Sequence, residues 1–266
     1  MTKNKLLLLA QQDYVATLTL NRPEKRNALS PGLLIELYQT LETLSQRDDI
    51  RTVILRGAGD KAFSSGYDVT AIPTDVPEDL ADRLKEENPL DLAISSILNY
   101  PYPVIAMLNG YAFGAGCELA VNCDIRIAAE DVKMGIPAAK LGLVYPLNGL
   151  MRYVQNVGFS VTGELLYTGR SFDSGRALQM GLINYALPRN ELEVFTYRLA
   201  QEIAANAPLS LKGTKRILGM MRRSFQIPDN HIKEAETIIA RAFNSEDLKE
   251  GQAAFLEKRR PAFKGR

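Results

Sequence analysis

Two glycine-bearing peptides carry residue types at a spacing that can do chemistry: Lys61-Ala-Phe-Ser-Ser-Gly-Tyr-Asp-Val69 and Asn109-Gly-Tyr-Ala-Phe-Gly-Ala-Gly-Cys-Glu-Leu119. Each follows a short apolar strand pattern, and the second runs directly into a helix pattern. Main-chain amides released at such turns have no intrahelical partner and point outward, ready for a negative oxygen. Two of them aimed at one carbonyl would form an oxyanion hole, the arrangement that stabilises charge on oxygen in acyl-transfer and enolate chemistry. Glu118 lies three residues past Ala115, so a helix puts both on one face. A carboxylate there can act as a base or hold water. It is also what the helix dipole favours in any first turn. Gly110, Gly114 and Gly116 could by themselves serve only tight strand-to-helix packing. They read G-x-x-x-G-x-G, which is not the dinucleotide fingerprint G-x-G-x-x-G.

Composition removes several other chemistries. The single histidine, His231, sits in a C-terminal helix pattern, and no G-x-S-x-G elbow exists to receive it in a nucleophilic triad. With two cysteines and one histidine, a Cys/His zinc cluster is starved of ligands, and no metal is expected. Proton transfer must rest on carboxylates, tyrosines or lysines. The net charge of +1 gives no reason to expect nucleic acid or an anionic membrane as partner. Lys5–Ala10 is too short for a signal-peptide core, and no segment approaches transmembrane length. Cys117 and Cys123 offer no disulfide framework, so a reducing cytoplasm is the expected location.

The elements that must hold these peptides follow from periodicity. With 266 residues, 46% hydrophobic and 24% charged, the chain has the make-up of a globular protein with a sizeable core. Tyr14–Leu20 alternates with period two and reads as a strand. Ser30-Pro31 opens a helix, serine as N-cap and proline at the first helical position. Leu33, Leu34, Leu37, Leu41 and Leu44 then give it one apolar stripe. Thr52–Leu55 and Val104–Leu108 read as buried strands ending at glycine-bearing turns. Ile125–Ala129 and Val132–Met134 read as a further strand pair. Pro73–Pro89 is acidic and proline-broken, the pattern of a mobile surface segment. After about Pro188 the period becomes helical throughout, over 189–206, 208–223, 228–244 and 246–257. The expected architecture is a βα core over residues 1–188 followed by a helical part over 189–266.

Four stretches carry a resemblance: Asn21-Arg-Pro-Glu-Lys-Arg-Asn-Ala-Leu29, Ala62–Asp68, Asn109–Asp124 and Ala254–Phe263. In this order they resemble the enoyl-CoA hydratase/isomerase (crotonase) superfamily over nearly the whole chain. The resemblance implies an α/β fold, the crotonase (ClpP-like) spiral of ββα units with a helical C-terminal trimerisation region. It further implies an acyl-CoA thioester as substrate, a homotrimer or dimer of trimers, and no cofactor beyond the coenzyme A of the substrate. Carried over position by position, the oxyanion donors are the main-chain amides of Tyr67 and Ala115. Glu118 matches the first of two family glutamates. Lys25, Arg26 and Ala28 fall where relatives meet coenzyme A. Ala62, Ser64, Gly66, Asp68 and Val69 would line its groove, and Gly114 and Pro137 are also expected to bind the substrate. Phe255 and Lys258 match residues that reach a neighbouring subunit's coenzyme A.

The departure lies at Pro137-Ala-Ala139. Hydratases of this superfamily place their second glutamate directly after that proline, where this chain has Ala138. Adding water across a double bond requires water to be held and deprotonated while the α-carbon gains a proton, which one carboxylate does poorly. Tyr145 stands where the methylmalonyl-CoA decarboxylase branch carries a functional tyrosine, although that branch has histidine where this chain has Tyr67. Loss of CO2 needs no base; it needs an oxyanion hole and a pocket that disfavours the departing carboxylate. The alternative role for Tyr145 is a pocket wall whose hydroxyl finds a main-chain partner. Hydration, isomerisation and decarboxylation remain open, as does a non-catalytic acyl-CoA-binding protein that kept the fold.

Overall fold

The computed structural model describes residues 5–68, 88–224 and 227–266. Val69 and most of the Pro73–Pro89 segment lie outside the described residues. The chain packs as two compact units, one of residues 1–134 and 172–221, the other of residues 135–171 and 222–266.

In the first unit, strands β1 (Leu7–Gln12) and β2 (Val15–Leu20) form a hairpin, which adds a strand before the one expected from alternation. β2 then pairs in parallel with β3 (Thr52–Gly57), and β3 with β5 (Val104–Leu108). β5 pairs with β7 (Ile125–Ala129) and β7 with β10 (Tyr185–Leu187), both in parallel. The sheet order is β1-β2-β3-β5-β7-β10. β3 and β5 are buried along nearly their whole length because both faces of a parallel strand are covered. A second sheet has the order β4-β6-β8-β9, from β4 (Ala62–Ser64), β6 (Tyr111–Phe113), β8 (Lys133–Gly135) and β9 (Ser171–Asp173). The strands expected as a pair at 125–129 and 132–134 therefore belong to different sheets. Each is too short for periodicity to indicate its partner.

Helix α1 (Pro31–Ser45) starts as its sequence predicts: Ser30 Oγ accepts from Leu33 N–H, and Pro31 takes the first position. Its five-leucine stripe is wholly buried and packs with α2 (Pro89–Asn99). Burial of each such leucine contributes roughly 1.5–3 kcal/mol. Helix α3 (Ala115–Val121) follows β6, and α5 (Ser174–Gln179) precedes β10. Helix α6 (Arg189–Ala205) buries Leu192, Thr196, Ala200 and Ala204 at four-residue spacing and lies on β3, β5 and β7. The last strand does end at Leu187, but α6 packs with the first unit, so residue 188 is not where the packing divides. Lys215 of α7 (Pro208–Arg223) anchors that helix through hydrogen bonds to Ile97 O, Tyr102 O and Asp124.

The second unit contains a 3₁₀ turn (Ala138–Leu141) and the helices α4 (Leu147–Thr168), α8 (Asp229–Phe243) and α9 (Glu246–Leu256). α4 is interrupted at Gly158, whose φ of 76° and ψ of 169° are non-helical. Among the described residues no helix is long and apolar enough to cross a membrane.

Candidate active site

The first unit gathers three segments that the sequence separates: the turn 22–28, the peptide 62–68 and the peptide 111–118. The turn leaves β2 at Asn21 and runs through the 3₁₀ residues Pro23–Lys25. Arg26 and Asn27 then adopt left-handed backbone, with φ of 53° and 54°. That conformation is uncommon outside glycine and is tolerated best by asparagine. It turns Arg26 O toward Ser65 N–H, which donates to it at 3.0 Å; Leu29 N–H donates to Gly66 O at 2.8 Å, and Leu29 O accepts from Asp68 N–H at 2.9 Å. A buried ion pair closes the loop. Arg22 Nη2 donates to Asp68 Oδ2 at 2.7 Å while its Nη1 donates to Ala28 O at 2.7 Å.

The peptides 62–68 and 111–118 meet at glycines. Gly66 has φ of 105°, and a methyl group there would lie 2.9 Å from Phe113 O and 3.7 Å from Ala115 N. A side chain on Gly116 would strike Ser64 O at 2.6 Å, so the start of α3 rests against the end of β4. Ser64 Oγ in turn accepts from Gly66 N–H at 3.2 Å. The main-chain amides of Tyr67 and Ala115 thus stand on adjoining turns, and neither donates a hydrogen bond to any described residue. Two such amides side by side can bind one oxygen that gains charge.

Around them, Tyr67, Ala28, Gly114 and Ala115 are half-buried, and Ala62, Ser64, Gly66, Asp68 and Glu118 are buried. Burial pushes the Tyr67 phenol above its ordinary pKa, so it stays neutral near pH 7. Glu118 is in the first turn of α3, its N–H on Gly114 O at 3.0 Å and its carbonyl holding Asn122 Nδ2 at 2.8 Å. Lys25 and Arg26 are exposed, and Lys25 Nζ approaches Asp68 to 3.7 Å. Asp68, expected to line the coenzyme A groove, has its carboxylate engaged by Arg22 and acts first as the tie between turn and loop.

The second unit contains the rest of the expected residues that the structure describes. Pro137 precedes the 3₁₀ turn, and Ala138 within it is buried. α9 packs on that turn so closely that a side chain at Gly251 would sit 2.5 Å from Leu141 O. Tyr145 is half-buried, its ring edge-on to Tyr153 at 6.0 Å. Phe255 and Lys258 stand exposed at the end of α9, Phe255 with 73% of its surface open. Val69 lies outside the described residues.

Matching the whole chain against known proteins decides the family. The enoyl-CoA hydratase/isomerase family model matches residues 10–266. The chain belongs to the enoyl-CoA hydratase/isomerase family. It is 34% identical to 2,3-dehydroadipyl-CoA hydratase of Escherichia coli over 98% of its own length and 99% of the relative's. It is 32% identical to methylmalonyl-CoA decarboxylase of the same organism, over 94% and 95% of the two chains. A solved structure of methylmalonyl-CoA decarboxylase in complex with 2-nitronate-propionyl-CoA superposes with a TM-score of 0.88 at 31% identity, covering 98% of this chain and 99% of that one. The crotonase fold and the family membership expected from the sequence are thereby established for the chain.

Sequence reasoning missed the residues that hold the site rather than line it. Arg22, Asn27 and Asn109 were visible only as members of motifs. Most of their partners are main-chain groups or a carboxylate 31 to 52 residues away, which leave no local pattern. Asp124, read as structural, accepts from Val104 N–H at 2.7 Å and from Lys215 at 2.7 Å.

Proposed function

We propose that this chain catalyses a reaction of a coenzyme A thioester through an enolate whose oxygen is held by the main-chain amides of Tyr67 and Ala115, and that decarboxylation of a malonyl-type thioester is the reaction it performs best. The observation that carries the proposal is the pair of adjoining amides with no hydrogen-bond acceptor among the described residues. In this reaction the bond between the α-carbon and the carboxylate breaks, its electron pair enters the thioester enolate, and CO2 leaves. The α-carbon then takes a proton. Oxyanion donors act here without any base, and losing one typically costs about 10²–10³ in kcat. Ala138, buried after Pro137, brings no carboxylate to the position where hydratases carry their second. Tyr145 is the proposed group that orients the departing carboxylate or returns the proton.

A second reading has its own support. Glu118 is buried one turn into α3, a place from which a single carboxylate could move a proton along a 3-enoyl thioester or, less efficiently, activate water. Lys25 and Arg26 are assigned to the coenzyme A phosphates, and no cofactor beyond the coenzyme A of the substrate is invoked. We further propose a trimer or a dimer of trimers. α7 and α8 bury no residue within the chain and expose Leu209, Ile217, Met221, Ile238 and Phe243, apolar surface of the kind that marks an interface. Sedimentation of the full chain should give the mass of three copies or six. A cytoplasmic location is supported by Cys117 and Cys123 being buried and joined in no disulfide among the described residues.

Three assays separate the chemistries: CO2 released from methylmalonyl-CoA, isomerisation of a 3-enoyl-CoA, and loss of enone absorbance from crotonyl-CoA. The expected outcome is CO2 release, lowered in Tyr145→Phe. Fast hydration of crotonyl-CoA with no CO2 release would refute the decarboxylation reading. Tight coenzyme A binding with no turnover of any substrate would identify a binding protein instead.

A further inference from the structure

The loop between β3 and β4 is held by two buried carboxamides, and each makes three hydrogen bonds to main chain. Asn27 is fully buried. Its Nδ2 donates to Ala58 O at 3.0 Å and Ala62 O at 2.7 Å, and its Oδ1 accepts from Arg22 N–H at 3.1 Å. Asn109, 5% exposed, accepts from Gly57 N–H at 3.0 Å and donates to Gly57 O at 2.9 Å and Gly59 O at 2.5 Å. Arg189, at the first position of α6, donates to Asn109 O at 2.7 Å and Asp60 O at 3.3 Å while its guanidinium is forked on Asp131. Six side-chain bonds from two asparagines thus converge on residues 22 and 57–62.

The consequence is mechanical. β4 begins at Ala62, whose carbonyl Asn27 holds, and five residues later the same peptide presents Tyr67 N–H. β6 begins two residues after Asn109, and the same peptide presents Ala115 N–H six residues after it. Ala62 pairs with Tyr111 at the start of both strands, and Tyr111 N–H donates to Lys61 O at 3.1 Å. The register of the two strands is irregular between Ala62 and Ser64, so the ladder alone is a weak ruler. We infer that Asn27 and Asn109, with Arg189 behind Asn109, are positioning residues for the oxyanion site: they lock the offset of β4 against β6 and so the distance between the two donor amides. The inference rests on the proposed role of those amides. It explains why polar side chains are buried where apolar ones would pack. A carboxamide can pair with main-chain N–H and C=O groups at a turn where no further strand is available.

The test uses the full chain with butyryl-CoA labelled with carbon-13 at its carbonyl, a thioester that cannot lose CO2. Infrared difference spectra of the bound probe report how strongly the carbonyl is polarised. In the unmutated protein the stretch should move to lower frequency than in water; if it does not, the oxyanion reading itself fails and this inference with it. Given that shift, Asn109→Ala and Asn27→Ala should each lose most of it. kcat for methylmalonyl-CoA should fall by roughly 100-fold with KM little changed, the effect expected of an approximately 1 Å misplacement. Asn109→Asp keeps the acceptor for Gly57 N–H but turns an anionic oxygen on two carbonyls, and should be at least as impaired. Arg189→Ala removes only the outer tie and should lose about fivefold in kcat; it decides the matter if the asparagine variants do not fold. A full carbonyl shift and full kcat in folded Asn109→Ala, or in Arg189→Ala where that variant alone is folded, would reduce these residues to scaffold and overturn the inference.

Discussion

Replacing Gly116 with alanine perturbs the oxyanion geometry while leaving Tyr67, Ala115, Glu118 and Tyr145 themselves unchanged. The added methyl carbon would lie 2.6 Å from both Cβ and the carbonyl oxygen of Ser64. Ordinary contact begins near 3.4 Å, so α3 and the end of β4 must separate by about 0.8 Å, the difference between those two distances. The atom struck is main chain, which cannot rotate away. Ala115 N–H moves with α3 and Tyr67 N–H with β4, so the separation falls directly on the distance between the two donors. A misplacement of that size costs on the order of 100-fold in rate, equivalent to about 2.7 kcal/mol of transition-state stabilisation. Overpacking should also lower stability by about 1–3 kcal/mol. The assay is CO2 release from methylmalonyl-CoA, with the folded fraction fixed by circular dichroism, so that kcat is read per folded molecule. KM should change less than kcat, because Lys25 and Arg26, assigned to the coenzyme A phosphates, stand on a separate segment. A folded Gly116→Ala protein with kcat within about threefold of the parent would refute the claim that these two turns set the rate, since an approximately 1 Å shift should cost far more.

Further outcomes follow from the same geometry. Arg22→Met leaves Asp68 buried without its main counter-charge and should lower the free energy of unfolding in urea by about 3 kcal/mol, the lower end of the range for such pairs because Lys25 Nζ stands 3.7 Å away; a loss under about 1 kcal/mol, the level of surface pairs, would contradict it. Glu118→Gln should remove isomerisation by about 10²–10⁴ while sparing decarboxylation, and equal loss of both would show that the carboxylate serves the shared enolate step. Glu250 is held down to about 2 from 4.5 by hydrogen bonds from Arg259 and the Ala262 N–H. A depressed carboxylate stabilises the native state fully above pH 4.5 and loses that contribution as pH falls toward 2. The docking of the 259–266 tail on α9 should therefore weaken over that window, and hydrogen exchange of Ala262 N–H should show no such acid dependence in Glu250→Gln.

Local chemistry was legible where it acts within a few residues. The Ser30 cap, the Pro31 start and the leucine stripe of α1 all appear as their order implies, and the helices after residue 188 lie within a residue of their expected ends. The two glycine-bearing peptides could be paired because their conformations are written in glycine itself: Gly66 and Gly114 take φ of 105° and 52°. What could not be read is long-range. The edge strand Leu7–Gln12 exposes five of its six residues and so lacks alternation. α4 carries a glycine break that divides its period, and the strands of the second sheet are three residues each. The ion pair that spans Arg22 and Asp68, and the two asparagine ties, join segments that only the folded sheet brings together.

The central claim concerns two nitrogen atoms and one oxygen. A crystal structure of the chain with a coenzyme A derivative bearing an enolate-like nitronate tests it most directly. The account predicts an anionic oxygen within 2.7–3.1 Å of both Tyr67 N and Ala115 N, the span expected of working oxyanion donors. An anionic oxygen bound elsewhere, or touching only one of the two amides, would contradict it.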